Sequence, residues 1–255
     1  SLVASATKPL FPEPALAAEA LGTGLITLLG TGTVCAAVFT GAQQGIWQIA
    51  AAWGAAVAIA AYTTAGVSGA HLNPAVTFAL VVFKGFPPRR ALAYVFAQVV
   101  GASGAALLNF LAYSRAIVAF EASKSIVRGT AGSIASAPGV MSFGANGVTS
   151  VLGAGTLEAL QMAVLMFVIL STTHADSAVA PSAACALIGL TVATLISVYG
   201  PLTMAGFNPA RDLGPRLVAA ACGWGSVAFK GMAAYAIGPL VGALVGALAH
   251  RAIYS

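Results

Sequence analysis

From Ala20 to Phe83 the chain carries no Asp, Glu, Lys or Arg. At 1.5 Å per helical residue, that stretch supplies two crossings of a hydrocarbon core about 30 Å thick and leaves a shorter apolar piece over. The 255 residues as a whole are of the same kind, 59% hydrophobic and 7% charged with a mean hydropathy of +0.94. The solvent such a composition answers to is lipid, and the expected product is a multi-pass integral membrane protein. The pI of 9.4 does not point to nucleic acid, because the basic residues are scattered and flank apolar segments.

Six segments are predicted to cross: Ala15–Phe39, Ile46–Thr64, Arg89–Tyr113, Gly155–Thr173, Ala180–Ser197 and Ala233–Tyr254. Two apolar pieces, Asn73–Phe83 and Asn208–Ala221, are too short to cross and read as half-spans. Ser1–Pro14 reads as a short polar tail and not as a secretory signal. Lys8, Lys84, Arg89, Arg90 and Arg251 fall on one side of this arrangement, and Arg115, Lys124, Arg128, Arg216 and Lys230 on the other. An even split of that kind leaves orientation undecided by the positive-inside rule. Cys35, Cys185 and Cys222 sit in apolar runs and read as buried thiols.

The chain also repeats itself. Glu19-Ala20-Leu21 matches Glu158-Ala159-Leu160, Asn73-Pro74-Ala75 matches Asn208-Pro209-Ala210, and Ala93-Tyr94 with Gly101 matches Ala234-Tyr235 with Gly242, all at a nearly constant offset. Each unit holds three spans with a half-span after its second. An odd number of crossings inserts the two units with opposite topology and places equivalent features face to face near the bilayer midplane. The expected fold is therefore an all-α membrane protein, six transmembrane helices plus two re-entrant half-helices in an inverted repeat. It forms one domain over residues 1–255, with halves at approximately 14–120 and 150–255. Gly238, Gly242 and Gly246, and in the first unit Gly101 with Gly104, have the small-residue spacing of close helix contacts. Glu19 and Glu158, costly in lipid unless turned inward, read as paired structural posts for loop backbone.

Asn is among the best helix N-caps, and Pro one position on gives up only an N–H that would be orphaned anyway. Each Asn-Pro-Ala therefore starts a half-helix. Capping uses the Asn side-chain oxygen and is expected to leave the amide NH2 of Asn73 and of Asn208 as donors into one small volume. Both helix starts add roughly half an elementary positive charge there, which repels cations. The preceding residues, Gly69, Ala70, His71 and Leu72 and again Met204, Ala205, Gly206 and Phe207, are expected to run extended and offer carbonyls to a wet path. Carbonyl acceptors on one side and apolar side chains on the other suit small neutral molecules.

On the stretches TAGVSGAHLNPAVT (Thr64–Thr77) and GPLTMAGFNPARDLGPRL (Gly200–Leu217), the chain from Pro14 to Ser255 resembles the major intrinsic protein family, the aquaporins and aquaglyceroporins. The resemblance implies the aquaporin fold, a homotetramer in the bilayer with one pore per subunit, and no cofactor. It places Trp53, Ile196, Ala205 and Arg211 in a selectivity filter and His71 on the pore wall near the inner mouth. Water-selective members carry His where Ile196 stands, so the filter resembles one for a polyol with a hydroxyl edge and a CH edge.

Asp212 resembles the glycerol-conducting branch, and it can also pair with Arg216 four residues on. Ala205, where glycerol facilitators carry an aromatic, and Tyr235-Ala236, where they carry Pro-Leu, depart from that branch. The set Trp, Ile, Ala, Arg resembles filters of plant nodulin-like members. The expected activity is passive conduction of glycerol with water and other small neutral solutes, urea and ammonia among the candidates. The alternatives are a mainly water-selective channel, a secondary transporter, or a closed junctional protein. Trp47 reads as an interfacial residue, and His174 and His250 as loop and tail residues. No metal, nucleophile–base or phosphate-loop pattern suggests an enzyme.

Overall fold

The computed structural model describes residues 13–140 and 150–254. The tail at Ser1–Pro14, with Lys8, lies outside the described residues save for its last two positions, which open the first helix. The elements are α1 (Glu13–Cys35, continued by a π-turn at Ala36–Thr40), α2 (Ile46–Ser68), α3 (Pro74–Lys84), α4 (Pro88–Lys124), α5 (Val151–Thr172), α6 (Pro181–Thr203), α7 (Pro209–Ala219) and α8 (Met232–Tyr254). Short 3-10 turns at Ala131–Ser136 and Gly225–Phe229 and a π-turn at Ala220–Trp224 complete it, and no strand occurs among the described residues.

Six of the described helices are long and apolar enough to cross a membrane. α3 and α7, of 11 residues each, reach only about 16 Å, half of the hydrocarbon thickness. Burial runs opposite to that of a water-soluble protein: Glu19, Gln98, Glu158 and Gln161 are fully enclosed, whereas Leu92, Phe96 and Leu152 are among the most exposed side chains. Lipid accepts the aliphatic surface without penalty, so the polar side chains are the ones that must find partners inside.

The packing comes in matched pairs. α1 lies on α4 as α5 lies on α8, α1 on α2 as α5 on α6, and α4 on α7 as α8 on α3, while α2 meets α6 and α3 meets α7. This is the contact pattern of two units related by a twofold axis, with α2–α6 and α3–α7 lying on that axis. Glycines set the separations. A Cβ added to Gly54 would strike the carbonyl of Gly189 and one added to Gly189 that of Gly54, so the α2–α6 crossing is drawn tight by a residue and its repeat equivalent. Gly101 abuts the backbone of Ala20, and Gly238, Gly242 and Gly246 abut Gly155, Ala159 and Ala163 in turn. Gly104, paired with Gly101 from the sequence, faces open space instead.

α4 runs eleven residues beyond the predicted Tyr113. Nothing between Ser114 and Lys124 breaks a helix, and the first residue that does is Ser125, at φ 52°. Its extra turns rise to a polar cap in which buried Glu121 takes Arg128 Nε at 2.8 Å and Ser136 Oγ at 2.9 Å, with the Arg128 guanidinium 4.2 Å above the Trp224 ring. His250 is no tail residue. It is buried in α8, its ring stacked on Tyr254 and facing His174, which does lie in a loop.

Replacing Gly54 by Leu is expected to force α2 and α6 apart. Overpacking of this kind costs about 1–3 kcal/mol or more, so the unfolding temperature in detergent should fall clearly, with Gly104→Leu as a control that leaves it near the parent value.

Candidate functional site

Both half-helices begin as their sequences dictate. The Asn73 side-chain oxygen accepts from Ala75 N at 2.8 Å, the Asn208 oxygen accepts from Ala210 N at 3.1 Å and Arg211 N at 3.2 Å, and Pro fills the first helical position of each. The amide NH2 groups are not left wholly to the path, as the sequence suggested. Asn73 Nδ2 donates to the Phe207 carbonyl at 2.9 Å and Asn208 Nδ2 to the Leu72 carbonyl at 2.8 Å. Each Asn thus holds the carbonyl just before the other. Those two carbonyls stand at membrane depth with no ladder partner, and the asparagines are the donors within reach. An amide carries two N–H groups, so one remains on each side; that of Asn73 has the Met162 sulfur as a neighbour at 3.8 Å.

The loops before the asparagines are not extended. φ is positive at Ala70 (49°) and Leu72 (50°), and at Ala205 (52°) and Phe207 (26°), but not at His71 or Gly206 between them. Alternating hands turn successive N–H groups to one side, forming a concavity that binds an anion. The anions are the two buried glutamates. Glu19 accepts His71 N at 3.0 Å and Leu72 N at 2.8 Å, and Glu158 accepts Gly206 N at 3.1 Å and Phe207 N at 2.6 Å. The glutamates therefore hold loop amides, not carbonyls. Ser68 and Thr203 add hydroxyls to the same carboxylates at 2.6 Å each, and Tyr94 and Tyr235 donate to the carbonyls of Ser68 and Thr203 at 3.0 and 2.9 Å. Left-handed backbone at a non-glycine residue costs roughly 1–3 kcal/mol, and a hydrogen bond to a charged group returns about 1.5–3 kcal/mol, so the strained loops are held because the carboxylates are there.

A cavity of about 290 Å³ runs alongside these loops. Gly69, Ala70, His71 and Leu72 line it, together with Asn73, Asn208, Ala205, Gly206 and Phe207. Ile26, Val57, Leu165, Ile169, Ile188 and Val192 form the opposite, apolar wall, and none of these had a polar signature that would single it out in the sequence. Trp53 and Arg211 stand in the wall toward the α1 C-terminal side, both buried, with the guanidinium carbon 4.2 Å above the indole ring.

Met204 ends α6 at φ 62° and contributes to a separate small cavity with Val34 and Phe39. Ile196 is buried in the same apolar cluster as Trp53 and Ala205. His71 turns its Nδ1 to Thr77 Oγ1 at 3.2 Å and packs on Phe86 and Tyr94. Asp212 faces away, paired with Arg216 Nε at 2.7 Å, and that guanidinium also donates to the carbonyls of Ala228 at 2.6 Å and Lys230 at 3.1 Å. Asp212 thus ties α7 to the turn before α8.

Known proteins share this arrangement. Residues 7–250 match the family model for the major intrinsic protein. The chain is 42% identical to the propanediol uptake facilitator of Citrobacter freundii over 93% of its own length and 89% of that protein's. It is 42% identical to a glycerol uptake facilitator of Pseudomonas aeruginosa, over 95% and 90% of the two chains, and 43% identical to that of Escherichia coli, over 92% and 85%. Among solved structures, the aquaglyceroporin of Plasmodium falciparum superposes with a TM-score of 0.77 at 26% identity, over 95% of each chain.

Glu158→Ala would leave Thr203 Oγ1, Gly206 N and Phe207 N without their acceptor, each buried orphan costing about 1–3 kcal/mol. The expected outcome is a large drop in thermal stability in detergent. Glu158→Gln, which keeps one acceptor oxygen for these donors, should lower it less.

Proposed function

Because the chain belongs to the major intrinsic protein family, we propose that the path between its half-helices is a passive channel for glycerol, accompanied by water and related small neutral solutes. The protein is a multi-pass integral membrane channel and not an enzyme. The observation that carries the reading is that one cavity has both Asn-capped helix starts and Arg211 in its wall. Its relatives named for glycerol and propanediol support the solute class.

The chemistry of the path suits a polyol. The remaining N–H of an asparagine and the carbonyls of Gly69–His71 and Ala205–Gly206 exchange hydrogen bonds with hydroxyl groups, while the apolar wall receives the CH edge. The two half-helix starts and Arg211 make the centre and one end positive, so cations and hydronium are repelled. Trp53, Ile196, Ala205 and Arg211 form the filter, with the guanidinium as the donor to a passing oxygen. His71 belongs to the wall on the opposite side of the asparagines. Four copies form a homotetramer in the bilayer, each with its own path.

A secondary transporter would need an ionisable group that can change its proton or ion load while facing the path. Both candidate acids are committed elsewhere: Glu19 to Ser68, His71, Leu72 and Gln98, and Glu158 to Thr203, Gly206 and Phe207. That commitment favours passive conduction.

Stopped-flow light scattering on proteoliposomes tests the proposal. Glycerol entry several-fold faster than in empty vesicles, linear in glycerol concentration and indifferent to a pH gradient, is expected. Entry no faster than in empty vesicles would overturn it, and saturable, gradient-driven uptake would favour the transporter.

A further inference from the structure

Trp53 is held from two sides. On one, the Arg211 guanidinium lies 4.2 Å above the ring. On the other is α1, and there the residue facing the indole is Gly30, where an added Cβ would fall within the space of Cε3, Cζ3 and Cδ2, atoms of the six-membered half of the ring. The backbone of α1 at Gly30 is therefore the seat of the indole. Both Trp53 and Arg211 are buried in the wall of the same cavity, and Ala205 on the adjoining wall is too small to prop the ring from elsewhere.

We propose that Gly30 is a specificity-determining positioning residue: by carrying no side chain it lets the Trp53 ring sit back against α1, and so sets the width left beside Arg211 for the solute. This rests on the reading of the cavity as a glycerol path. A ring packed between a helix backbone and a guanidinium has one direction in which to yield. Any side chain at Gly30 moves the indole toward Arg211 and into the lumen, where it takes up space that glycerol needs and water does not. Steric fit in a close-packed wall is felt at the level of a single methyl group, so alanine is enough. The atoms at risk belong to the benzo ring, so a single-ring side chain at position 53 removes the collision.

The test is the ratio of glycerol to water permeability in proteoliposomes for wild type, Gly30→Ala, Trp53→Phe and the double variant. Gly30→Ala is expected to lower glycerol permeability at least several-fold with a much smaller loss for water. Gly30→Ala/Trp53→Phe should recover glycerol permeability toward that of Trp53→Phe alone. A merely structural role for Gly30 would lower both permeabilities together and would not be rescued at position 53. Gly30→Ala with the wild-type ratio overturns the inference and leaves the channel reading intact, whereas a wild type that passes no glycerol overturns that reading and the inference with it. If Gly30→Ala fails to fold, a double variant that folds and conducts glycerol supports the collision with Trp53, and a double variant that also fails overturns it.

Discussion

A peptide group brought to the middle of a membrane without a partner is too costly to keep, and this fold brings two loops there. The buried carboxylates of Glu19 and Glu158 meet that constraint. Each collects two loop amides and one hydroxyl, and the backbone alternates hand to present them. Once the amides are turned to the glutamates, the carbonyls of Leu72 and Phe207 must find donors elsewhere, and the opposed asparagines supply them. The half-helices thus meet end to end, and the cavity passes where the loops run beside them.

The two halves share this scaffold and differ in the positions that face chemistry. Glu19, Ser68, Tyr94 and Asn73 have counterparts in Glu158, Thr203, Tyr235 and Asn208, with the same bonds. Three residues after Asn208 stands Arg211, but three after Asn73 stands Val76. Four after Asn208 is Asp212, locked to Arg216, but four after Asn73 is Thr77, which bonds His71 and Gln98. The symmetric frame thus carries one guanidinium, Arg211, and one imidazole, His71, in the cavity wall with no repeat counterpart to either.

Much of the fold was legible because lipid removes ambiguity. A charge-free run must be a span, an eleven-residue apolar piece cannot cross, and three spans per repeat force inversion. Asn-Pro-Ala showed where the half-helices start because capping is a local rule. The handed loops were not legible: extended and alternating backbones look alike in sequence, and only the position of Glu19 fifty residues away separates them. The same holds for the Gly54–Gly189 crossing, since the glycines of α2 (Gly54, Gly66) and α6 (Gly189, Gly200) do not recur at the four-residue spacing that would reveal it. The end of α4 is not legible because apolar content falls at Tyr113, whereas helix geometry continues to Lys124.

The central claim is that two Asn-capped helix starts, clasped together, pass neutral solutes and reject charge. Proton entry, read from a pH-sensitive dye inside proteoliposomes under an imposed membrane potential while the same vesicles take up glycerol, tests it most directly. Proton entry equal to that of empty vesicles alongside rapid glycerol uptake is the result predicted. Proton entry that rises with the amount of protein reconstituted would contradict it.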